Sequence, residues 1–299
     1  MRPGNGGPCP PFPFPASPSG APCRADGCSG AAWHGRKWPH CPSGRLTDGG
    51  SGGGVVGFSV VDWAAWAPGL QERTAWEAWA RAPWAPRGDE VPALAEVPAM
   101  QRRRIERLGR MAIQAACWCD AQGADASAPL VFASRHGDVA RSVVLLKSLA
   151  ADEALSPTSF GLSVHNAIAA FHSIATGGHG NYLAIAGGRG TAEAACVEAA
   201  GLLADGATEV RVVCYEAPPP AEYAGFADEA EVPFAWCWRI VPAARDGIRI
   251  ELDWDAGIAT DAGAAALPHA LDVHRFLLSG DAELRFGDGD RRWRWRRHA

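Results

Sequence analysis

The sequence predicts an α/β domain with a largely parallel sheet, because strand-like and helix-like segments alternate through its middle. The short apolar run "NYLAIAG" is followed by the alanine-rich helical run "TAEAACVEAAGLLADG" and then by the β-branched run "TEVRVVCYE". Alternation with these lengths is typical of βαβ units. The content of 47% hydrophobic and 20% charged residues is that of a globular protein.

The beginning of the chain differs in composition from the rest. Residues 1–54 contain 13 of the 35 Gly and 10 of the 23 Pro, and such a segment buries too little apolar surface to offset its ordering entropy. We therefore expect a disordered leader over residues 1–54 and one folded domain over residues 55–299. The leader lacks a continuous apolar core of roughly 7–15 residues, so it does not predict a secretory signal.

Charge and cysteine content exclude several classes of function. The net charge of −5 does not favour bulk nucleic-acid binding, and no run approaches the roughly 20 apolar residues of a membrane span. The nine cysteines are odd in number and scattered, which favours a reduced cytoplasm over a disulfide framework. The spacings of cysteine and histidine match no metal site, and no motif predicts a cofactor.

The remaining elements follow in order along the chain. "VVGFSVVDW" predicts a first strand, "PAMQRRRIERLGRMAIQAACWCDAQG" one long helix, and "DVARSVVLLKSLAADEAL" an amphipathic helix with Asp138 as its N-cap. "FAWCWRIV" and "IRIELDW" predict a β-hairpin around "PAARDG", and a last helix is expected over about 264–278. Two interpretations of the tryptophans stay open, an interface and the domain's own core: Trp66, Trp76, Trp79 and Trp84.

An arginine cluster opens the predicted long helix. Arg102, Arg103 and Arg104 lie at its N-terminal end, where the helix dipole favours anions rather than cations. The cluster indicates either contact with carboxylates of a partner or acidic carrier, or a solvated face paired with local glutamates.

Nucleophile motifs are missing from the sequence. No G-x-S-x-G elbow occurs, and the glycine turns "GGHG" and "GGRG" match no phosphate-binding loop. Cys196 falls inside a predicted helix and Cys214 inside a predicted strand, so both are expected to be core residues. His165 and Asn166 precede a helix that Asn166 would cap. Four histidines within 44 residues suggest one shared pocket: His136, His165, His172 and His179.

The order of four motifs resembles that of a known family. "WAAWAPGL", "PAMQRRRIERLGRMA", "VFASRHGD" and "SPTSFGLSVHNAIAAFHSIATG" are together similar to the β-ketoacyl synthase-like N-terminal family, including its chain-length-factor-like subunits. The resemblance covers about residues 55–299. It implies a thiolase-like layered sandwich, a single domain like the N-terminal half of a ketosynthase, and a full ketosynthase as heterodimer partner.

The resemblance also implies that this chain has lost the catalytic cysteine. Counting back from "DGATEV" places the nucleophile position near Arg189, and an arginine stays protonated with no nucleophilic lone pair. The second thiolase-like half, which supplies a ketosynthase with its histidine pair, has no counterpart here. We therefore expect a catalytically silent, chain-length-factor-like subunit of type II fatty acid, polyketide or aryl polyene biosynthesis, with acyl carrier protein reached through the complex.

Within the resembled fold, "SVHNAIAAF" is expected at the dimer interface, near the acyl tunnel of the partner. His165, Asn166, Ile168 and Phe171 are the candidate tunnel and interface residues. One alternative stays open: a stand-alone acyl-transfer or malonyl-decarboxylating enzyme that uses His165, with His172, as base. Decarboxylation needs an oxyanion site but no nucleophile.

Overall fold

The computed structural model describes residues 53–298 apart from residues 122, 124, 126, 244–245 and 258–265. The expected leader therefore lies outside the described residues except for its last two positions. In the described part of the chain, eight strands form one sheet: β1 (Gly54–Trp66), β2 (Leu130–Ala133), β3 (Tyr182–Ile185), β4 (Val210–Glu216), β5 (Phe234–Pro242), β6 (Ile248–Ala256), β7 (Glu283–Asp288) and β8 (Arg291–His298).

Helices cover both faces of the sheet, as expected of an α/β layered sandwich. Across the described ranges they are α1 (Arg73–Arg81), α2 (Ala99–Arg102), α3 (Arg107–Asp120), α4 (Val139–Ala150), α5 (Pro157–Gly161), α6 (Ala167–Thr176), α7 (Thr191–Ala204) and α8 (His269–Ser279), with a 3-10 turn at Ala221–Phe226. None of these helices is long and apolar enough to cross a membrane.

The sheet is less parallel than the sequence predicts. Its strand order is β3-β2-β4-β5-β1-β6-β8-β7, and only β3, β2 and β4 pair in parallel. The other five pairings are antiparallel, so the expectation of a largely parallel sheet is wrong. The βαβ pattern governs only the segments between β2 and β4. The chain after β4 continues the sheet without helices between most of its strands.

The predicted hairpin of β5 and β6 is also wrong, because β1 lies between them. The first half of β1 pairs with β6 and its second half pairs with β5. Where the three strands meet, a bulge shifts the register after Val60. Gly247 adopts φ +121°, and a Cβ there would lie 2.6 Å from the Val60 carbonyl oxygen. Only glycine therefore fits at position 247, beside the strand β1 that lies between β5 and β6.

Two hydrophobic clusters occupy the two faces of the sheet. Helices α1, α7 and α8 pack on one face around Trp236 and Trp238, and α3 and α6 pack on the other around Phe132 and Tyr215. Trp66, Trp76 and Trp79 are buried in these clusters, while Trp84 is largely exposed. The core interpretation therefore holds for the first three tryptophans.

The predicted long helix is broken in two. Helix α2 ends at Arg102, and α3 begins at Arg107 after Glu106 takes an extended conformation. The break directs the side chain of Ile105 into the hydrophobic core. Arg110 of α3 donates hydrogen bonds to the carbonyls of Ile105 and Arg102, which lie where the helical hydrogen-bond pattern is interrupted. Local periodicity could not reveal this compensation.

Candidate functional site

A tight glycine turn connects β3 to α7, at the position where the sequence places the lost nucleophile. Gly188 adopts φ +58°, a conformation that favours glycine. The Thr191 hydroxyl accepts a hydrogen bond from the Gly187 N–H at 3.0 Å and donates one to the Gly188 carbonyl at 2.6 Å. Thr191 is the first residue of α7, and Gly190 is its N-cap. The turn therefore holds Arg189 in a fixed place before the helix.

Arg189 is half-buried and packs on an aromatic ring. Its guanidinium carbon lies 5.1 Å from the centre of the Phe286 ring, which stacks on His269 with ring centres 3.4 Å apart. The Arg189 Nε is buried and has no hydrogen-bond partner among the described residues. The Arg189 side chain therefore contributes a cation–π contact and offers no nucleophilic lone pair.

Carboxylates of the chain itself occupy the positive end of α7. The Gly190 N–H donates to Asp288 Oδ2 at 3.2 Å, and Asp288 lies at the end of β7. Glu193, in the first turn of the helix, is fully buried. Its Oε1 accepts hydrogen bonds from Trp295 Nε1 at 2.8 Å and from His269 Nε2 at 2.5 Å. A helix N-terminus that already faces two carboxylates offers little stabilisation to a thiolate or other anion.

Two cysteines near this turn behave as core residues. Cys196 of α7 and Cys214 of β4 are fully buried, as the sequence predicts. Burial raises the pKa of both thiols well above the ordinary value. Both are therefore neutral at physiological pH, and neither is positioned to replace the missing nucleophile.

The structure does not bring the predicted histidines together. His165 donates from Nε2 to the carbonyl of Ser134, beyond the carboxyl end of β2, at 2.9 Å. His172 donates from Nε2 to Asp120 Oδ2 at 3.2 Å, and Asp120 pairs with Arg211 near the start of β4. These two contacts lie at opposite ends of the parallel strands. The expectation of one pocket lined by four histidines is therefore wrong.

An ionic network at the carboxyl ends of β2 and β4 was not predicted. The Arg135 guanidinium, with 2% of its side chain exposed, lies among the carboxylates of Glu216, Asp228, Glu229 and Glu231 at 2.5–4.0 Å. Burial raises the pKa of Glu216 to about 8, so this carboxyl group is mostly protonated at neutral pH. The acidic run "ADEAEVP" was the signal in the sequence, but its partner lies about 90 residues away.

The segment that is expected to line the acyl tunnel of the partner forms the start of α6. Asn166 is the N-cap position, as predicted, although its exposed side chain makes no capping hydrogen bond. Ile168 is buried against Gly109 of α3, while Phe171 is half-buried at the edge of the same cluster. Ile168 therefore packs the segment against α3, and Asn166 and Phe171 are the side chains of the segment that remain accessible.

Comparison with known proteins identifies the family. The model for the N-terminal domain of β-ketoacyl synthase matches residues 76–296. The chain belongs to the β-ketoacyl synthase N-terminal domain family. The resemblance seen in the sequence and its thiolase-like fold are thus confirmed. Comparison of this synthase-family chain with curated proteins returned no significant match.

Solved structures similar to this synthase-family chain include ketosynthase complexes. A ketosynthase (ApeO) in complex with its chain length factor (ApeC) from Xenorhabdus doucetiae matches with 25% identity and a TM-score of 0.70, covering 80% of this chain and 99% of that chain. The ishigamide ketosynthase/chain length factor matches with 18% identity and a TM-score of 0.53, covering 69% of each chain. The ketosynthase from module 6 of the Bacillus subtilis bacillaene synthase shares the fold, with 13% identity, a TM-score of 0.50, and coverage of 69% and 42%.

The arginine cluster of this synthase-family domain divides into two parts. Arg102 donates hydrogen bonds to the carbonyls of Ala93 and Leu94 at 3.2 and 3.1 Å, so it fixes the preceding loop and is not available as a partner contact. Arg103 and Arg104 are exposed and make no ion pair with described residues. Only these two remain candidates for contact with an acidic surface.

Helix α4 of the domain exposes an unusual amount of apolar surface. It carries six large aliphatic side chains but buries only Val143. Val144 and Leu149 are 63% and 57% exposed, and Leu146, which points to another side of the helix, is exposed as well. A helix that is apolar on several sides is normally covered. We define the α4–α5 surface by its exposed apolar residues Val144, Leu146, Leu149, Phe160 and Val164.

Proposed function

We propose that this chain is a catalytically silent, chain-length-factor-like subunit that pairs with a ketosynthase in the cytoplasm. One observation carries the proposal: the turn before α7 presents Arg189, and Asp288 and Glu193 neutralise the helix end behind it. The similarity to a ketosynthase in complex with its chain length factor supports the same role. The chemistry then belongs to the partner, in type II fatty acid, polyketide or aryl polyene biosynthesis.

The partner ketosynthase covers the α4–α5 surface and extends the sheet at β3. Strand β3 pairs with β2 on one side and with no described strand on the other. An exposed edge strand offers unpaired backbone groups to another chain. The exposed apolar side chains of α4 and α5 follow β2 in the sequence and provide the buried area that an obligate interface needs.

The start of α6 then faces the acyl tunnel of the partner. Asn166 and Phe171 are the accessible side chains, with His165 holding the preceding loop against Ser134 and Ile168 packed behind. Chain extension stops where a side chain blocks the tunnel. Phe171→Ala is therefore expected to lengthen the products of the reconstituted complex.

Arg103 and Arg104 are the residues of this subunit that contact acyl carrier protein. Their exposure and lack of ion pairs within the described chain leave both guanidinium groups free for acidic side chains. Changing both to glutamate is expected to weaken carrier binding by the complex in a salt-dependent manner.

The alternative role as a stand-alone decarboxylating enzyme lacks structural support. His165 donates its Nε2 proton to a backbone carbonyl, and His172 lies at the other end of the strands beside Asp120. The two candidate bases therefore do not share a site. Turnover of malonyl-carrier by the isolated protein would favour this alternative.

Co-purification with the ketosynthase encoded nearest to this chain tests the pairing. We expect a 1:1 complex by size-exclusion chromatography with light scattering. Val144→Glu places a charge within the α4–α5 surface and is expected to weaken the complex at least tenfold. Val91→Glu, at another exposed valine outside that surface, is the matched control and leaves the complex intact. A stable lone subunit that ignores the ketosynthase contradicts the proposal.

A further inference from the structure

A cavity lies at the end of the parallel strands that is remote from the Arg189 turn. It has a volume of about 440 Å³ and is bounded by the ends of α3 and α6 and by the starts of β2, β3 and β4. This volume falls within the range of small-molecule sites. The turn before α7 follows the opposite, carboxyl end of β3, so this cavity is separate from the region where a ketosynthase nucleophile would lie.

The base of the cavity holds a bridged group of charges. Asp120 Oδ1 pairs with Arg211 Nη1, and Asp120 Oδ2 accepts the 3.2 Å hydrogen bond from His172 Nε2. Although burial alone would raise the pKa of Asp120, its hydrogen bond to His172 and the charge of Arg211 lower the pKa below the usual range. Asp120 is therefore an ionised carboxylate whose charge is balanced by a buried guanidinium.

The walls of the cavity are mainly apolar. Leu130, Phe132 and Ala169 form them, and Tyr182 stands at the rim with three glycines of the loop after α6. Cys117 adds a neutral thiol, because burial raises its pKa to about 12. The rim glycines carry no side chains to close the opening.

The distribution of polar groups restricts what the cavity accepts. Asp120 keeps 26% of its side chain exposed, and a carboxylate has up to about four acceptor sites, of which two are used here. An anionic ligand would face the carboxylates of Asp120 and Glu96, and a plain hydrocarbon would displace water from the Asp120 carboxylate without replacing its hydrogen bond. A cationic ligand would add a charge beside Arg211, whose own charge Asp120 already balances.

We propose that this cavity binds a small, uncharged, mainly apolar molecule whose hydroxyl group donates a hydrogen bond to Asp120. The aromatic wall at Phe132 favours a planar body, and the balanced charges at the base favour a neutral head. The site depends only on this chain and does not require the proposed pairing with a ketosynthase.

Four probes with the same ring test the head-group preference by isothermal titration calorimetry on the full chain. They are benzyl alcohol, benzylamine, benzoate and toluene. We expect benzyl alcohol to bind at least tenfold more tightly than each of the other three. No binding of benzyl alcohol, or tighter binding of benzoate, benzylamine or toluene, would overturn the proposal.

Variants of α6 test the location of the site. Ala169→Leu fills the cavity, and Thr176→Trp covers its mouth from an exposed position that tolerates a large side chain. Ile174→Trp, on the same helix but outside the cavity, is the matched control. We expect at least a tenfold loss of benzyl alcohol affinity in the first two variants and none in the third. Unchanged affinity in Thr176→Trp, measured on a folded protein, would place binding elsewhere.

Discussion

Asp288 accepts a hydrogen bond from the Gly190 backbone N–H at 3.2 Å, at the point where α7 begins. The two residues are 98 positions apart, and the contact joins the last hairpin of the sheet to the turn that carries Arg189. A helix N-terminus activates a thiol by favouring the thiolate, and a carboxylate at the same place opposes that effect. The turn therefore carries no cysteine, and its helix end would do little to stabilise a thiolate.

A cysteine introduced at position 189 is by itself not expected to be unusually reactive. The thiol of Arg189→Cys should react with iodoacetamide no faster than an ordinary exposed cysteine at pH 7. Adding Asp288→Asn removes the opposing charge, and we expect the alkylation rate to rise severalfold. Peptide mapping over a range of pH separates this thiol from the buried Cys196 and Cys214. Equal rates in the single and double variants would contradict the role of Asp288.

Strand β3 is expected to continue its sheet into the partner. Asn181 and Ile185 direct their carbonyls to β2, so the alternation of the strand points the N–H of Ala184 outward. Ala184→Pro removes that donor without removing a bond to β2. We expect a complex weakened at least tenfold, measured by light scattering, with thermal unfolding of the lone chain little changed. Undiminished pairing would exclude β3 from the interface.

A buried histidine predicts loss of stability in acid. His274 accepts a hydrogen bond from Trp238 Nε1 at 3.0 Å, and the rings of Trp63 and Trp76 pack on it edge-on. Burial, with a smaller contribution from the charge of Arg73, lowers its pKa from 6.5 to about 3. The unfolded chain binds this proton more readily, so stability falls as the pH drops from about 6.5 towards 3, by up to about 1.4 kcal/mol per pH unit.

Urea unfolding at several pH values measures this effect. His274→Phe removes the titrating group, and although it leaves the Trp238 indole N–H unpaired, it should flatten the pH dependence between pH 4 and 6.5. Arg73, which is paired with Asp62 and whose charge contributes to the lowered pKa of His274, is unchanged in the variant. An identical slope in both proteins would show that His274 is already charged in the fold.

The buried carboxyl group of Glu216 is expected to make the protein less stable as the pH rises. Its folded-state pKa of about 8 lies above the value of 4.5 expected after unfolding, so the folded state holds the extra proton. The contribution of Glu216 to stability is fully present below about pH 4.5 and is lost as the pH rises through about 8, on the order of a few kcal/mol in all. Glu216→Gln keeps an acceptor for the Arg135 N–H and should reduce this loss. Charges facing it are those of Arg135, Asp228, Glu229 and Glu231.

Elements with local signals were predicted well from the sequence. Asp138 caps α4 by accepting a hydrogen bond from the Arg141 N–H, as expected, and α7 and β4 lie where their periodicity places them. The errors come from contacts distant in sequence. Strand β1 separates β5 from β6 although nearly 170 residues lie between it and them, and no local pattern encodes that insertion.

In the candidate site, too, local sequence reveals some features, whereas others depend on contacts between distant segments. The place of Arg189 in a turn between a strand and a helix was visible in the sequence because it depends on residue identity and on local order, and its assignment as the nucleophile position stays a prediction. The contact from Asp288, the burial of Glu193 against Trp295 and the separation of His165 from His172 depend on how distant segments fold together. Those features needed the three-dimensional structure.

The most direct test of the central claim is to find which subunit carries the acyl group. The co-purified complex of this chain and its ketosynthase would be incubated with acyl-loaded carrier protein, and both subunits resolved by intact-protein mass spectrometry. A silent partner predicts an acyl adduct on the ketosynthase alone and none on this chain. An adduct on this chain, or chain extension by it in the absence of the ketosynthase, would contradict the account.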